Sequence, residues 1–353
     1  MAERVLHVGD NLVSDVANCQ AAGLGAIETR QLHRLHAAND VHASALRQLG
    51  GTPSGSIVLG QYTQWLARLA VPRSMVESFG YAYGGPLLVG FVQYLVAEAK
   101  AVGVHRLLLL ERDGAILAAA FQALNVTEVE YRLVPSSRRM TLFPTLDGND
   151  LGHLQPIFQG CEPVTEREFF EILSLRPNDH MIDDFERLLP AQHLMRHEVF
   201  LRAVATEEKA LILEELSEER AMLAEGQKIA WVDVGWALTS IQALNELLGE
   251  DIPAFCVGSH DRAALSIRHQ GYLFNRSKPS DVSAAIMAGV ELVELIFSAN
   301  SHSTVYLTRG IDGIQRVHKA KNTAERIRDA HIAEVWKGVS GGSVPLICPV
   351  SEA

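Results

Sequence analysis

Four consecutive leucines, Leu107 to Leu110, run straight into Glu111-Arg112-Asp113-Gly114 and then into AILAAAFQ, and no other stretch constrains this chain as much. An unbroken apolar run reads as a strand buried on both faces, as in the interior of a parallel sheet. Three charges and a glycine then end the strand, and an alanine-rich helical run begins at once. Strand, charged turn and helix make half of a βαβ unit. In open α/β sheets ligands bind beyond the carboxyl ends of such strands, where this turn is expected to sit. An ordinary βα connection with solvated charges would look the same locally.

The elements around it repeat the alternation. A helix is predicted from Pro86, a residue suited to a first turn, to about residue 103. Residues 128–135 (EVEYRLVP) read as a strand, as do 228–234 (KIAWVDV) and 253–258. Residues 151–226 are helical and charge-rich, with helices expected over 166–173, 183–189 and 207–225, and form an insertion or cap. Further helices are predicted over 239–248, over 284–299 (strongly apolar) and over 320–337 (exposed and amphipathic). The fold class is therefore α/β, a Rossmann-like parallel sheet flanked by helices with a helical insertion.

Upstream, residues 4–8 read as a short buried strand, followed by a loop at 9–15, a helix ending at Gly23 and a second strand at 24–27. A polar, His-rich helical segment is expected over 31–49. The run Gly50-Gly51-Thr52-Pro53-Ser54-Gly55-Ser56 is a linker signal, with a helix over 57–69 after it. The expected organisation is a small piece at 1–49, a linker and helix at 50–78, the Rossmann-like domain at 79–340 with its insertion at about 151–226, and a loose tail at 341–353.

A net charge of -11 with no long Lys/Arg run argues against nucleic-acid binding by phosphate neutralisation. The four cysteines, Cys19, Cys161, Cys256 and Cys348, form no CxxC and suit a reducing cytosol better than a disulfide framework. No signal-peptide pattern opens the chain, and the apolar stretch from Pro86 carries Gln93 and Glu98. A cytoplasmic protein with no membrane partner is expected. Oligomeric state is not legible.

Four places carry chemistry. In GDNLVSD, Asp10 and Asp15 bring two carboxylates to one strand end, the oxygen-rich arrangement that a hard cation such as Mg²⁺ prefers. A helix-capping Asp beside a surface Asp would have the same spacing. The turn at Glu111 offers Asp113 as an acid/base or metal-contact group. Ser136, Ser137 and Arg138, with Arg139, follow a strand and suit an anion such as phosphate, or else an N-cap with solvated arginines. Asp233, at the end of a strand before Gly235-Trp236 and the helix-opening Thr239, outlines a phosphate cradle at a helix N-terminus. His193 and His197 share an i, i+4 face, but with no acidic partner at a diagnostic spacing they read as surface histidines.

The stretch VLHVGDNLVSDVANCQAAGLGAI resembles the last motif of the haloacid-dehalogenase-like (HAD) hydrolases, over residues 4–27. The resemblance implies Mg²⁺ held by Asp10 and Asp15 and a small phosphorylated metabolite as substrate. The family's aspartate nucleophile, Ser/Thr and lysine belong on segments before this motif, so 1–49 is expected to be the C-terminal fragment of such a domain. In the family's DxDG frame, Glu111 stands at the nucleophile position and Asp113-Gly114 match. Glutamate, a methylene longer, is a poor nucleophile for in-line phosphoryl transfer. The strand, the Arg-Asp-Gly turn, Ser137-Arg138-Arg139 and Asp233-Val234-Gly235-Trp236 together are similar to an extra domain found downstream of some bacterial HAD-like proteins.

Residues 231–240 are distantly similar to the diphosphate loop of phosphoribosyltransferases. They carry one acid and Ala237-Leu238 where that family has two adjacent acids and Thr-Gly. Three functions follow as expectations: a Mg²⁺-dependent HAD-like phosphatase or phosphate-ester binder with Asp113 and Asp233 as catalytic groups, a sugar-phosphate transferase, and a non-catalytic scaffold.

Overall fold

The computed structural model describes residues 5–9, 11–28, 40–49, 51–68, 73–111, 113–146, 151–158, 160–176, 182, 184–261, 267–276, 282–299, 303–318 and 322–343. The chain divides into two compact units, Met1–Leu87 with Glu334–Ala353, and Leu88–Ala333.

In the first unit, β1 (Leu6–Gly9) and β2 (Gly25–Glu28) pair in parallel, Leu6 opposite Gly25. A helical turn over Leu12–Ala21 joins them, its first N–H groups capped by the Asn11 side chain. The apolar pattern of β1 does not translate into burial, contrary to the sequence reading. Val5, Leu6 and Val8 are each more than half exposed. Two short strands and one helical turn have too little surface to cover both faces of the pair. The unit's core lies instead among α1 (Val41–Leu49), α2 (Pro53–Arg68) and α3 (Met75–Phe79), where Ala43, Leu46, Tyr62, Tyr81 and Ala82 pack together. Helix α2 starts inside the linker signal because Pro53 suits a first helical turn. Residues 31–39 of the expected His-rich helix lie outside the described residues.

Helix α4 (Gly85–Val102) leads into the second unit, which is built on one five-stranded sheet. Its strands are β3 (Arg106–Leu110), β4 (Glu130–Val134), β5 (Ile229–Asp233), β6 (Ala254–Gly258) and β7 (His269–Phe274). All pairings are parallel and the order is β4-β3-β5-β6-β7. The first strand thus sits between the second and the third, the doubly wound arrangement of a Rossmann-like α/β fold.

The leucine run is an interior strand beside the central β5, and the sheet is covered on both faces. Leu108 and Leu110 join Ile229, Trp231, Ala254 and Cys256 on one face. Against them pack Ile212 of α9 (Glu198–Glu215), Met222 of α10 (Ser217–Ala224) and Ile241, Leu244 and Leu247 of α11 (Thr239–Leu248). On the opposite face, Phe121 of α5 (Asp113–Ala123) lies against Tyr131, and Tyr94 of α4 against Phe255. Leu107 to Leu109 are fully buried, and each such side chain contributes about 1.5–3 kcal/mol relative to exposure. Met75–Val102 is long and apolar enough to cross a membrane, yet Phe91, Val92, Leu95 and Ala99 within it are buried in the protein core.

Between β4 and β5 the regular elements of the described chain are helices, as the insertion reading anticipates. They include α6 (Arg138–Leu142), α7 (Glu166–Ile172), α8 (Pro190–Arg196), α9 and α10. A capping box starts α7, with Thr165 and Glu168 exchanging side-chain to backbone bonds. Residues 184–189, expected to be helical, are not. Leu188 bridges Val164, and Pro190 opens α8 just beyond. The expected helix over 207–225 is two helices that break at Leu216. His193 and His197 overturn their reading as surface histidines, being 0% and 7% exposed in a core of Phe143, Phe158, Phe169 and Phe170. An i, i+4 pair does not show which side of α8 is turned inward.

Beyond β7, the apolar helix expected over 284–299 is divided at Gly289 into α12 (Val282–Ala288) and α13 (Val290–Phe297). A hairpin of β8 (Thr304–Gly310) and β9 (Gly313–His318) follows, in a stretch to which the sequence reading assigns no element. The β-branched run before Asp312-Gly313 was the signal for it. The last described helix is α14 (Thr323–Ser343), and most of the tail at 341–353 lies outside the described residues.

Candidate functional site

The connections leaving β3, β4 and β5 at their carboxyl ends line one cleft of about 450 Å³ in the second unit. It lies where β3 and β5 run side by side while the chain returns to opposite sides of β3. That is the topological switch point at which open α/β sheets bind ligands. Asp113, Ser136, Ser137, Arg138, Asp233 and Thr239 all line it. Glu111, Gly235, Trp236, Ser240, Glu294 and Ser303 complete the polar wall.

Each side chain arrives by a local cause. Gly114 lets α5 start directly on the end of β3, since a Cβ there would come within 2.8 Å of the Leu109 Cβ and 2.9 Å of its carbonyl carbon. Asp113 is thereby fixed in the first turn of α5, where the helix dipole favours a negative charge. Ser137 is the N-cap of α6, its Oγ accepting the Met140 N–H at 3.1 Å. The bland capping interpretation is therefore correct for that oxygen, and the hydroxyl hydrogen can still be donated to an anion. Arg138 is exposed beside it, while Arg139 does not reach the cleft. It is buried and paired with Glu208, donates from Nε to the Leu173 carbonyl at 2.7 Å and lies over the Phe143 ring.

Asp233 ends β5, and its Oδ1 accepts the Val234 N–H at 2.8 Å. Gly235 has φ +132°, and a Cβ there would meet the Gly258 carbonyl oxygen at 2.1 Å, so only glycine fits. Trp236 stacks on Phe274 and donates from Nε1 to Glu294 at 3.2 Å. Helix α11 then begins at Thr239 with no side-chain cap, and Thr239 and Ser240 of its first turn line the cleft. Glu294, placed here by α13, is a contributor the sequence reading missed. Its signal was a pair of acids, Glu291 and Glu294, in a helix whose other residues are apolar.

Glu111 is engaged by groups from the hairpin. Thr304 donates its hydroxyl to Oε2, and Arg316 donates to Oε1 at 3.2 Å. Behind the cleft, Cys256 pairs with Asp233 across the sheet, and burial, followed by the Asp233 charge, pushes its thiol up to about 12.

The proposed N-terminal pair fares differently. Asp10 lies outside the described residues. Asp15, in the first unit, has its Oδ2 on the Asn11 N–H at 3.0 Å, with Ser14 and His7 on Oδ1. The Asn11 bond is the main cause that holds its carboxyl below the usual range. Both oxygens thus serve the local turn, a poor fit to a cation ligand. The carboxylates of the cleft are the better oxygen set for Mg²⁺. No family model matches the sequence, and no curated protein does so.

Proposed function

We propose that the second unit binds a small phosphorylated metabolite together with Mg²⁺ in this cleft and hydrolyses its phosphate ester. The observation that carries the reading is the convergence of Asp113, Asp233, Ser136, Ser137, Arg138 and Thr239 at the switch point of a parallel sheet. Arg138 and the N-terminus of α11 suit the phosphoryl oxygens, because a guanidinium and open backbone N–H groups both favour an anion. Asp113 and Asp233 would hold the cation, which lowers the charge on the phosphoryl group and on a departing oxygen. Water attacks phosphorus as the ester P–O bond breaks; a further cleft carboxylate such as Glu294 takes the proton of the water and it passes to the departing oxygen, giving an alcohol and inorganic phosphate.

Glu111, held by Thr304 and Arg316, is a positioning group in this scheme and no phosphoenzyme forms. The likeness of residues 4–27 to a HAD motif points to the same substrate class. Free thiols at Cys19, Cys161 and Cys256 fit a cytoplasmic setting.

A thermal-shift screen of the full chain with Mg²⁺ and sugar phosphates, run beside a phosphate-ester turnover panel, tests the reading. Stabilisation that needs both Mg²⁺ and phosphate, lost in Asp113→Asn, is the expected result. An unchanged shift in Asp113→Asn would remove that residue from the site. The uncapped start of α11 also favours a second reading, transfer from a sugar-diphosphate donor. Turnover of a phosphoribosyl donor without phosphatase activity would select it.

A further inference from the structure

The helical segment between β4 and β5 carries a second polar cluster that the cleft does not use. Glu166 opens α7, His193 lies on α8, and His197 sits where α8 gives way to α9. They are 2%, 0% and 7% exposed, and one ligand-capable atom of each lies within 4.8 Å of the others.

The hydrogen bonding around them is incomplete in an informative way. His193 Nε2 is 2.9 Å from the Val164 carbonyl oxygen. A carbonyl only accepts, so Nε2 carries a proton, and in the neutral ring the lone pair is on Nδ1. That Nδ1 is buried and has no hydrogen-bond partner. His197 Nε2 is paired with the Glu166 carboxylate. Burying a polar atom without a partner costs about 1–3 kcal/mol, so the His193 Nδ1, in a cluster with a carboxylate and a second imidazole, needs a reason.

We propose that Glu166, His193 and His197 form a Zn²⁺-class transition-metal site. Two imidazoles and one carboxylate are a borderline-soft donor set that zinc accepts and that Mg²⁺ or Ca²⁺ does not favour. The Val164 carbonyl performs the outer-shell task metal-bound histidines need, fixing the tautomer so that Nδ1 faces the ion. Phe169 stacks on His193 with ring centres 5.0 Å apart, and Phe170 lies 4.9 Å from His197, giving the dry surroundings that strengthen metal–ligand bonds. Three protein ligands leave one position for water. The ion joins the start of α7 to the junction of α8 and α9, so its first effect is to staple the helical segment.

The test uses the full chain with any affinity tag removed. Metal content after dialysis against weak chelator is measured by mass spectrometry, and Tm is followed during stripping with a strong chelator and reloading with Zn²⁺. One zinc per chain, a Tm that falls by several degrees on stripping and recovers with Zn²⁺, and visible d–d absorption from Co²⁺ in the stripped protein are expected. His193→Gln keeps the volume and removes the ligand, and should lose the metal and the chelator response together. Asp15→Asn should keep both. Metal-free protein whose Tm ignores Zn²⁺ would make the cluster a plain Glu–His pair and overturn the proposal. So would zinc retained by His193→Gln or lost from Asp15→Asn. If His193→Gln does not fold, the Co²⁺ spectrum of the stripped wild-type protein decides, since octahedral surface binding gives only faint bands.

Discussion

At the mouth of the cleft Arg138 stands exposed near Asp113 and Asp233, whereas one residue later Arg139 is fully enclosed by Glu208, the Leu173 carbonyl and the Phe143 ring. The two arginines separate what charge does in this unit. Arg139 and Glu208 are a buried, matched pair within the helical segment, whereas pairs such as Arg167–Asp184 and Arg196–Glu186 stay on its surface. On the sheet, Arg132 of β4 spans Glu215 and the wholly buried Glu219, and Arg106 of β3 reaches the exposed Glu130 and Glu218. At the cleft the charged groups stand beside solvent on helix starts and strand ends. Enclosed charge here builds the fold, and the cleft charge stands around an open cavity.

The largest effect should come from breaking the enclosed pair. Glu208→Ala leaves the Arg139 guanidinium buried without its carboxylate and should destabilise the second unit by about 3–5 kcal/mol in denaturant titration. Burial raises the Glu208 carboxyl above its ordinary range even beside Arg139, so desolvation outweighs pairing. The double variant Arg139→Met/Glu208→Leu should therefore recover most of the loss. A double variant as unstable as the single one would show that the pair contributes net stability, and the contrast with the cleft would narrow.

Gly235→Ala comes next. A methyl group there runs into the Gly258 carbonyl at a φ that L residues rarely adopt, and should cost about 1–3 kcal/mol. Because Gly235 shapes the turn between Asp233 and Thr239, phosphate-dependent stabilisation should vanish with it. Retained ligand response in Gly235→Ala would detach this turn from the site.

How much of this was legible follows from which signals are local. Leu107 to Leu110 and Ile229 to Val232 announce central strands because burial on both faces removes all alternation. Asp113, Ser137 and Asp233 were found because strand ends in a parallel sheet are brought together by topology, which a βα pattern already implies. Arg138 and Arg139 were inseparable in sequence, since which one turns inward depends on Glu208 of α9, 69 residues away. Glu166, His193 and His197 were missed as a set for the same reason. Their grouping rests on helix packing around Phe169 and Phe170, and an i, i+4 histidine pair alone says nothing about which side of α8 is inside. The strand pattern at Val5 to Val8 misled in the opposite sense, because apolar alternation reports a face that could be buried and not one that is.

A smaller stability effect, with a larger functional one, is expected at Arg138. Arg138→Ala removes an exposed side chain and should change stability by no more than about 0.5 kcal/mol. It should nonetheless weaken the phosphate-dependent thermal shift, read as a higher phosphate concentration for half-maximal stabilisation. Equal response in wild type and variant would leave the anion to the helix N-terminus alone.

The smallest effect separates burial from charge behind the cleft. Cys256 is wholly buried on β6, opposite Asp233 on β5, and its thiol is pushed up to about 12. Burial is the larger cause and the Asp233 carboxylate the smaller. Since the thiolate is the nucleophile, Cys256 should resist iodoacetamide in the native protein at mildly alkaline pH, while the half-buried Cys19 and Cys161 react. In Asp233→Asn the negative neighbour is gone but the burial is not, so Cys256 should stay unlabelled while the ligand response is lost. Labelling of Cys256 in that variant at the rate of Cys161, as read by peptide mass spectrometry, would mean that Asp233 closes the end of the sheet. It would then belong with Glu208 among the groups that hold the fold, and the division drawn between the two arginines would fail at its most important residue.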